Sequence, residues 1–359
     1  MDFRVDDTTT DLTALVRDMG ERLVTDDSLR ELDARFGPGT EADSGGDRAT
    51  ARFHARYWEE LVRAGVPAAL APESLGGAGL GVVGEALVLR ELGRVLAPVP
   101  LSPAIRAAHL LDAAGLSDRA ATIAEGREIA AVGDGASPEV DWAPIADVIV
   151  QTTSGGLRVT DRASASVERT VPVDFSCAGL VSDTGPEPSP LEPSPLAGTA
   201  LEVDALRRRV HLAAYQWGVI EAALERTAAY ASTRHQFGRP IGSFQAVAAR
   251  LADGSIDVDA VRLSTLRAAY ELDACSGLPG APAHAAVASA HFWACDAGHR
   301  LAHTAVHVHG GVGLDRSEPA HRFFLAAKAG EFRLGGATRQ LIDLGGVLAD
   351  HGDPWEYSA

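Results

Sequence analysis

From Leu201 onward, apolar residues recur at helical spacing with few interruptions, and this series of segments constrains the fold more than any other feature. Helices are predicted over Leu201–Thr233, Ser243–Cys275, Ala283–His309, Pro319–Arg333 and Gly335–Asp350. The connections are short and hold Gly238–Gly242, Gly277–Pro282 and Gly310–Pro319, where glycine and proline close one helix before the next opens. Long helices joined this way lie antiparallel and bury their apolar stripes against one another, so a helical bundle is expected.

Upstream the texture differs twice. Leu12, Leu15, Val16 and Leu23, and then Phe53, Tyr57, Leu61 and Val62, keep helical spacing. The loop PESLGGAGLG (Pro72–Gly81) interrupts them, a helix follows over Val82–Val95, and two short helices fill Pro103–Gly126. From about Arg127 the runs become short and β-branched: Ile129–Val132, Ala146–Thr152, Leu157–Thr160, Val167–Val173 and Ala178–Val181, with a hairpin turn at Thr153–Gly156. This small β region ends in the repeat EPSPLEPSPL (Glu187–Leu196), which reads as linker by composition. The expected fold class is α+β, mainly α. It comprises an N-terminal helical domain (1–126), a reduced middle β domain with a Pro-rich linker (127–200) and a C-terminal helical bundle (201–359).

Charge narrows the partners. Lys+Arg 32 against Asp+Glu 49 leaves −17, a field that repels nucleic acid and anionic membrane surfaces. A phosphate-bearing ligand then needs a local cationic pocket. The cysteines Cys177, Cys275 and Cys295 lack CxxC spacing and read as buried thiols, with no metal site. The opening MDFRVDDTTTD has no apolar signal-peptide core, and the uncharged stretch Ala274–Cys295 is broken by Pro279 and Pro282. A cytoplasmic protein without a membrane span is expected.

One inter-helix segment, YASTRHQFGRPIGSFQ (Tyr230–Gln245), sets the cations of Arg234 and Arg239 beside glycine, an arrangement suited to pyrophosphate. Pro240 and Ser243 read as the stop of one helix and the N-cap of the next. Spacing alone equally fits a turn with solvated arginines. The wording of the segment goes further: it resembles the C-terminal-domain signature of the acyl-CoA dehydrogenase family. HVHGGVGLDRSEPAHRFFLAAK (His307–Lys328) is similar to that family's second signature, at a matching separation. PESLGGAGLG, followed by Arg90-Glu91-Leu92-Gly93-Arg94, resembles the N-terminal domain.

The resemblance implies FAD held between subunits, with one chain's middle domain at the isoalloxazine and a neighbour's C-terminal domain at the pyrophosphate and adenosine. The neighbour-side contacts then fall on Arg234, Gln236, Phe237, His307, Gly310, Gly311 and Gly313. Arg234 would pair with pyrophosphate, Phe237 would pack on the cofactor, and the glycines would let backbone N–H groups reach phosphate. His307 stands where the family has glutamine and retains a hydrogen-bond donor; helix-end packing is the simpler role for His307 and His309.

The family's α-proton base is a glutamate at one of two places, and neither is filled. Leu334 occupies the first, in Glu331-Phe332-Arg333-Leu334-Gly335-Gly336, and Arg208 the second, in Arg207-Arg208-Arg209 at the expected helix start. Leucine takes no proton and arginine essentially never yields one. Glu331 is a candidate relocated base, set against the plainer reading of a helix-terminal carboxylate. Glu202 and Asp204 read as first-turn carboxylates serving the helix dipole.

The family's flavin-contacting segment at the start of the β domain is also missing, although Asp134 and Ser137 survive from it. With these absences, the chain resembles the shorter, degenerate subunit of the α2β2 members found in actinobacterial degradation of steroid side chains, and the HVHGGVGLDRSEPAHRFF run (His307–Phe324) with LGGAT (Leu334–Thr338) looks most like that subunit. A homologous subunit would supply base and flavin cradle, acyl-CoA would be the substrate, and an electron-transfer flavoprotein would take the electrons. A flavin-dependent monooxygenase and a purely structural or regulatory subunit remain as alternatives.

Overall fold

The computed structural model describes residues 5–36, 51–134, 137–153, 156–174, 176–182 and 195–352. The chain packs as two units, residues 1–85 with 97–208 and residues 86–96 with 209–359.

The first unit opens with α1 (Asp7–Leu23), whose N-terminus is capped by Asp6 accepting from the Thr9 N–H at 2.8 Å. α2 (Asp26–Phe36), which apolar periodicity did not reveal, follows. α3 (Ala55–Arg63) is capped by the His54 ring, and its buried Tyr57 donates its hydroxyl to the Val16 carbonyl of α1 at 3.0 Å. The short α4 (Val66–Ala69) leads to α5 (Gly81–Arg94), α6 (Leu101–Ala113) and α7 (Ser117–Ala124).

Two small sheets come next. In one, β3 (Val148–Thr153) lies between β1 (Ala130–Asp134), parallel to it, and β4 (Gly156–Asp161), antiparallel. The register pairs Thr153 with Gly156, as the hairpin reading requires; residues 154–155 lie outside the described residues. In the other, β6 (Ala178–Ser182) lies between β2 (Glu139–Asp141) and β5 (Ser166–Thr170), all antiparallel. Ala131, Val140, Ala143, Ala146 and Ile149 form a fully apolar core here.

α8 (Pro195–Thr233) begins earlier than its sequence promised, inside the stretch read as linker. Proline is well placed in a helix's first turn, where its missing N–H has no partner to lose. The early start corrects two readings. Asp204 is not in the first turn serving the dipole: it is buried, and it receives Arg106 of α6 through Nε at 2.9 Å and Nη2 at 2.7 Å. Arg208 stands well inside the helix instead of at its start. Nearby, the buried Glu85 pairs with Arg207 at 3.1 Å and faces His109 at 3.5 Å.

The second unit holds the remainder of α8 with α9 (Gln245–Asp273), α10 (Ala281–His309), α11 (Ala320–Phe332) and α12 (Gly336–His351). The end of α5 joins them at backbone contact. A Cβ on Gly218 would lie 1.9 Å from the Arg90 carbonyl oxygen, and one on Gly93 would lie 2.1 Å from that of Tyr215. Arg94 closes the same seam with Glu221 at 2.8 Å and Glu225 at 2.7 Å, and these carboxylates outweigh burial in raising its affinity for the proton. Gln216 is clamped between Gly298 and Gly330 and donates to the Ala327 carbonyl at 3.0 Å, fixing α11 on α8.

Cys177 and Cys295 are buried, and burial pushes each thiol up to about 12. Among the described residues no helix is long and apolar enough to cross a membrane, and no group of His, Cys, Asp or Glu side chains is placed to hold a metal ion.

Candidate functional site

Two loops of the second unit carry every residue proposed to touch a cofactor. The first follows α8, where the sequence folds into a minimal hairpin of β7 (His235–Gln236) and β8 (Arg239–Pro240). Its turn is Phe237-Gly238, both in left-handed backbone at φ +53° and +79°, the requirement of a type I′ turn. Glycine adopts this freely, but phenylalanine does so at a cost, and strained residues cluster at functional sites. Phe237 is also 93% exposed at the hairpin tip, with Phe244 meeting it edge-on at 6.2 Å and Arg239 lying 4.2 Å over the Phe244 ring. Arg234 sits at the hairpin base, where its carbonyl accepts from the Ile241 N–H at 2.8 Å. Its guanidinium is exposed and makes no ion pair among the described residues. Ser243 does not cap α9: its hydroxyl donates to the Pro240 carbonyl, and Phe244 holds the N-cap position. Pro240 lies in β8, after α8 has already ended at Thr233.

The second loop follows α10. Gly310 takes φ +64° and ends the helix, and the chain continues as a 3₁₀ turn over Gly310–Leu314. Gly310 and Gly311 are exposed with open space where a Cβ would project, whereas Gly313 is buried against Val306 and His309. The first two therefore present backbone to solvent, and the third serves packing. His307 is exposed on the last turn of α10.

A contact not foreseen from sequence joins the loops. Tyr230, one turn before Arg234, stacks on His309, next to Gly310, with ring centroids 4.3 Å apart and planes 19° apart. His309 Nδ1–H donates to the Ala305 carbonyl at 2.8 Å, which holds the ring in place. His309 thus packs at the helix end, a contact His307 does not share. A cavity of about 180 Å³ beside the stack is lined by Thr227, Tyr230, His309 and Phe323. That is below the ~300 Å³ at which ligand pockets begin.

The candidate base positions are occupied differently. Arg208 Nη1 pairs with Asp134 Oδ2, and the other Asp134 oxygen accepts from the Ser137 N–H at 2.9 Å. The two survivors of the flavin-contacting segment are thereby committed to one another and to Arg208. Leu334 lies in a 3₁₀ turn, Arg333–Gly335; its side chain is outside the described residues. Glu331 is held on one side by Lys328 and on the other by His299 Nδ1 at 3.1 Å. It is a structurally engaged carboxylate. The buried His291 contacts the Arg333 carbonyl at 3.1 Å, anchoring the turn that carries Leu334.

Comparison with known proteins identifies the family. Residues 200–345 match the acyl-CoA dehydrogenase C-terminal domain and residues 40–116 the N-terminal domain. The chain is 37% identical to the acyl-CoA dehydrogenase FadE27 of Mycobacterium tuberculosis, over 98% of this chain and 99% of that one. In structure it is similar to a chain of the ChsE4–ChsE5 complex from Mycobacterium tuberculosis, with a TM-score of 0.81, 34% identity and coverage of 98% and 99%. It is also similar to a chain of the steroid acyl-CoA dehydrogenase Tcur3481–Tcur3483, with a TM-score of 0.80, 31% identity and coverage of 97% and 99%. The chain belongs to the acyl-CoA dehydrogenase family.

Proposed function

We propose that this chain is the base-free subunit of a heteromeric acyl-CoA dehydrogenase, which with a homologous subunit converts an acyl-CoA to the trans-2-enoyl-CoA. One observation carries the reading: the phosphate-suited loops are intact and exposed, while an Arg208–Asp134 ion pair occupies one of the places from which a base would act. The paired names of its structural relatives support a two-chain assembly, and the word steroid in one of them supports a steroid side-chain acyl-CoA as substrate. The division into an N-terminal helical domain (1–126), a middle β domain (127–200) and a helical bundle (201–359) belongs to the same reading.

The residues present fit FAD. Arg234 offers an unpaired guanidinium for pyrophosphate, Gly310 and Gly311 offer open backbone, and Phe237 offers an exposed ring held at a rigid turn. Gln236 and His307 add polar contacts from either loop, and Gly313 keeps the second loop close to α10. Bound FAD supplies the acceptor for the hydride from the substrate's β-carbon. This chain's part is to fix the nucleotide half of the cofactor at the interface. The partner contributes the carboxylate that removes the α-proton and the domain around the flavin ring, and an electron-transfer flavoprotein takes the electrons onward.

The test is purification of the chain alone and after co-expression with a homologous subunit, with visible flavin absorbance recorded for both. The expected outcome is no flavin on the chain alone and one FAD per pair of chains in the complex. Stoichiometric flavin on the isolated chain, with turnover of an acyl-CoA, would overturn the proposal.

A further inference from the structure

The two loops proposed to hold FAD leave different helices, and no strand ladder ties them together. β7 and β8 pair only with one another, and the Gly310–Leu314 turn hangs from the end of α10. The spacing of Arg234 from Gly310 then rests on how the ends of α8 and α10 pack, and the Tyr230–His309 stack lies between those ends. Its centroids, 4.3 Å apart, and its planes, 19° from parallel, are the geometry of an aromatic pair worth more than the area it covers. Neither ring belongs to the buried core. Position, not buried area, is what distinguishes the pair.

Each ring is bound to its own loop. The Tyr230 carbonyl accepts from the Arg234 N–H at 2.9 Å, so a tilt of Tyr230 carries the Arg234 backbone with it. His309 directly precedes Gly310, and Gly313 folds back until a Cβ on it would lie 3.0 Å from the His309 Cβ. The Nδ1–H bond to the Ala305 carbonyl at 2.8 Å fixes the imidazole against α10. A force on one loop therefore reaches the other through two rings and two short backbone links. We propose that Tyr230 and His309 are positioning residues: their stack sets the distance between the Arg234 guanidinium and the Gly310–Gly311 backbone, so that both loops grip one pyrophosphate together.

The inference rests on the FAD reading and adds a coupling to it. Arg234 contributes in full only while the second loop is held in register. Removing either ring removes the same contact, and that contact can be lost only once.

The test is the FAD affinity of the co-expressed complex, stripped of flavin and titrated with FAD by flavin fluorescence, with circular dichroism confirming the fold of each variant. Tyr230→Leu and His309→Leu each weaken FAD about three- to tenfold, the worth of one aromatic stack. The two changes together cost no more than one alone, and Arg234→Ala costs less in the Tyr230→Leu background than in wild type. Tyr230→Phe keeps a flat ring and rescues the affinity. Packing alone gives another pattern: leucine variants of lower thermal stability with FAD affinity unchanged, or losses that multiply with that of Arg234→Ala. Either result would overturn the inference, as would a Tyr230→Phe variant as weak as Tyr230→Leu. The two leucine variants are independent, so one that fails to fold leaves the other to decide. Arg234→Ala alone keeps the two proposals apart. If it weakens FAD while the leucine variants do not, the stack is inert and the cofactor reading stands. If it changes nothing, the cofactor reading falls and this inference falls with it.

Discussion

The buried pair between Arg106 and Asp204 gives a sharp test of what holds α8 in place. Both side chains are almost wholly buried, at 6% and 3% exposure, and two hydrogen bonds of 2.9 and 2.7 Å join them. Substituting Asp204→Ala leaves a guanidinium in the interior with neither water nor a carboxylate to compensate it. Stranding one member of such a pair costs about 3–5 kcal/mol, a large share of the ~5–15 kcal/mol by which a domain is stable. Replacing both, as Arg106→Met with Asp204→Leu, removes the charge together with its partner and is expected within about 1–2 kcal/mol of wild type. The coupling between the two sites should therefore exceed ~2 kcal/mol. Urea unfolding of the isolated chain, followed by far-ultraviolet circular dichroism, measures all three. The isolated chain is the right material, because a bound partner would add stability by mass action and hide the loss. If Asp204→Ala cost less than about 1 kcal/mol, or if the double replacement were as damaging as the single one, the pair would not be what pins α6 to α8.

Other outcomes follow from the same structure. Arg234→Ala in the co-expressed complex should weaken FAD retention by about 1.5–3 kcal/mol, roughly 10- to 150-fold, the worth of charge-assisted hydrogen bonds to phosphate; flavin titration after dialysis reads this, and unchanged occupancy would remove Arg234 from the site. His54 Nδ1 caps α3 and its other nitrogen faces the Leu23 carbonyl, and burial, the dominant cause, lowers its proton affinity. The folded state thus resists the proton that the unfolded state accepts, so the stability from His54 is whole above the ordinary histidine pKa of about 6.5 and is lost as pH falls below it. His54→Phe should flatten that part of the pH–stability curve, and an unchanged slope would count against the assignment. Two glycines in helices should respond in opposite senses to alanine. Gly218→Ala forces α5 and α8 apart and should cost about 1–3 kcal/mol, whereas Gly345→Ala, open to solvent on α12, should gain about 0.5–1 kcal/mol in the isolated chain.

Helical periodicity made the bundle legible, because an amphipathic stripe is written locally in the sequence. α9, α10, α11 and α12 fall within a few residues of expectation. What stayed hidden depends on partners far along the chain. Asp204 looked like a terminal carboxylate because nothing local announces Arg106, 98 residues away, as its counter-charge. β2 has three residues, too few for its alternation to be read from sequence; its pairing with β6 is tertiary information. The start of α8 was obscured by proline, which composition counts as linker but the first turn of a helix accepts. At the candidate site, the residue types were readable and the hairpin was not. Phe237 in left-handed backbone breaks the rule that a bulky residue avoids positive φ, and the Tyr230–His309 stack links two segments that sequence treats as unrelated.

The proposed division of labour rests on two sets of residues. The loops proposed to hold FAD draw on α8's last turn, α9's first residues and the end of α10, all in the second unit. The ion pair at one base position, Arg208 with Asp134, belongs to the first. Arg208 is neutralised by Asp134, and Asp134 is completed by the Ser137 N–H. Arg208→Glu would set two carboxylates side by side where a compensated pair stood. It should restore no turnover to the isolated chain, because a proton acceptor without a flavin ring beside it has nothing to which the hydride can go. Dehydrogenation by that variant alone, measured with an artificial electron acceptor and added FAD, would show that the chain retains a complete redox site and would dissolve the division of labour argued here.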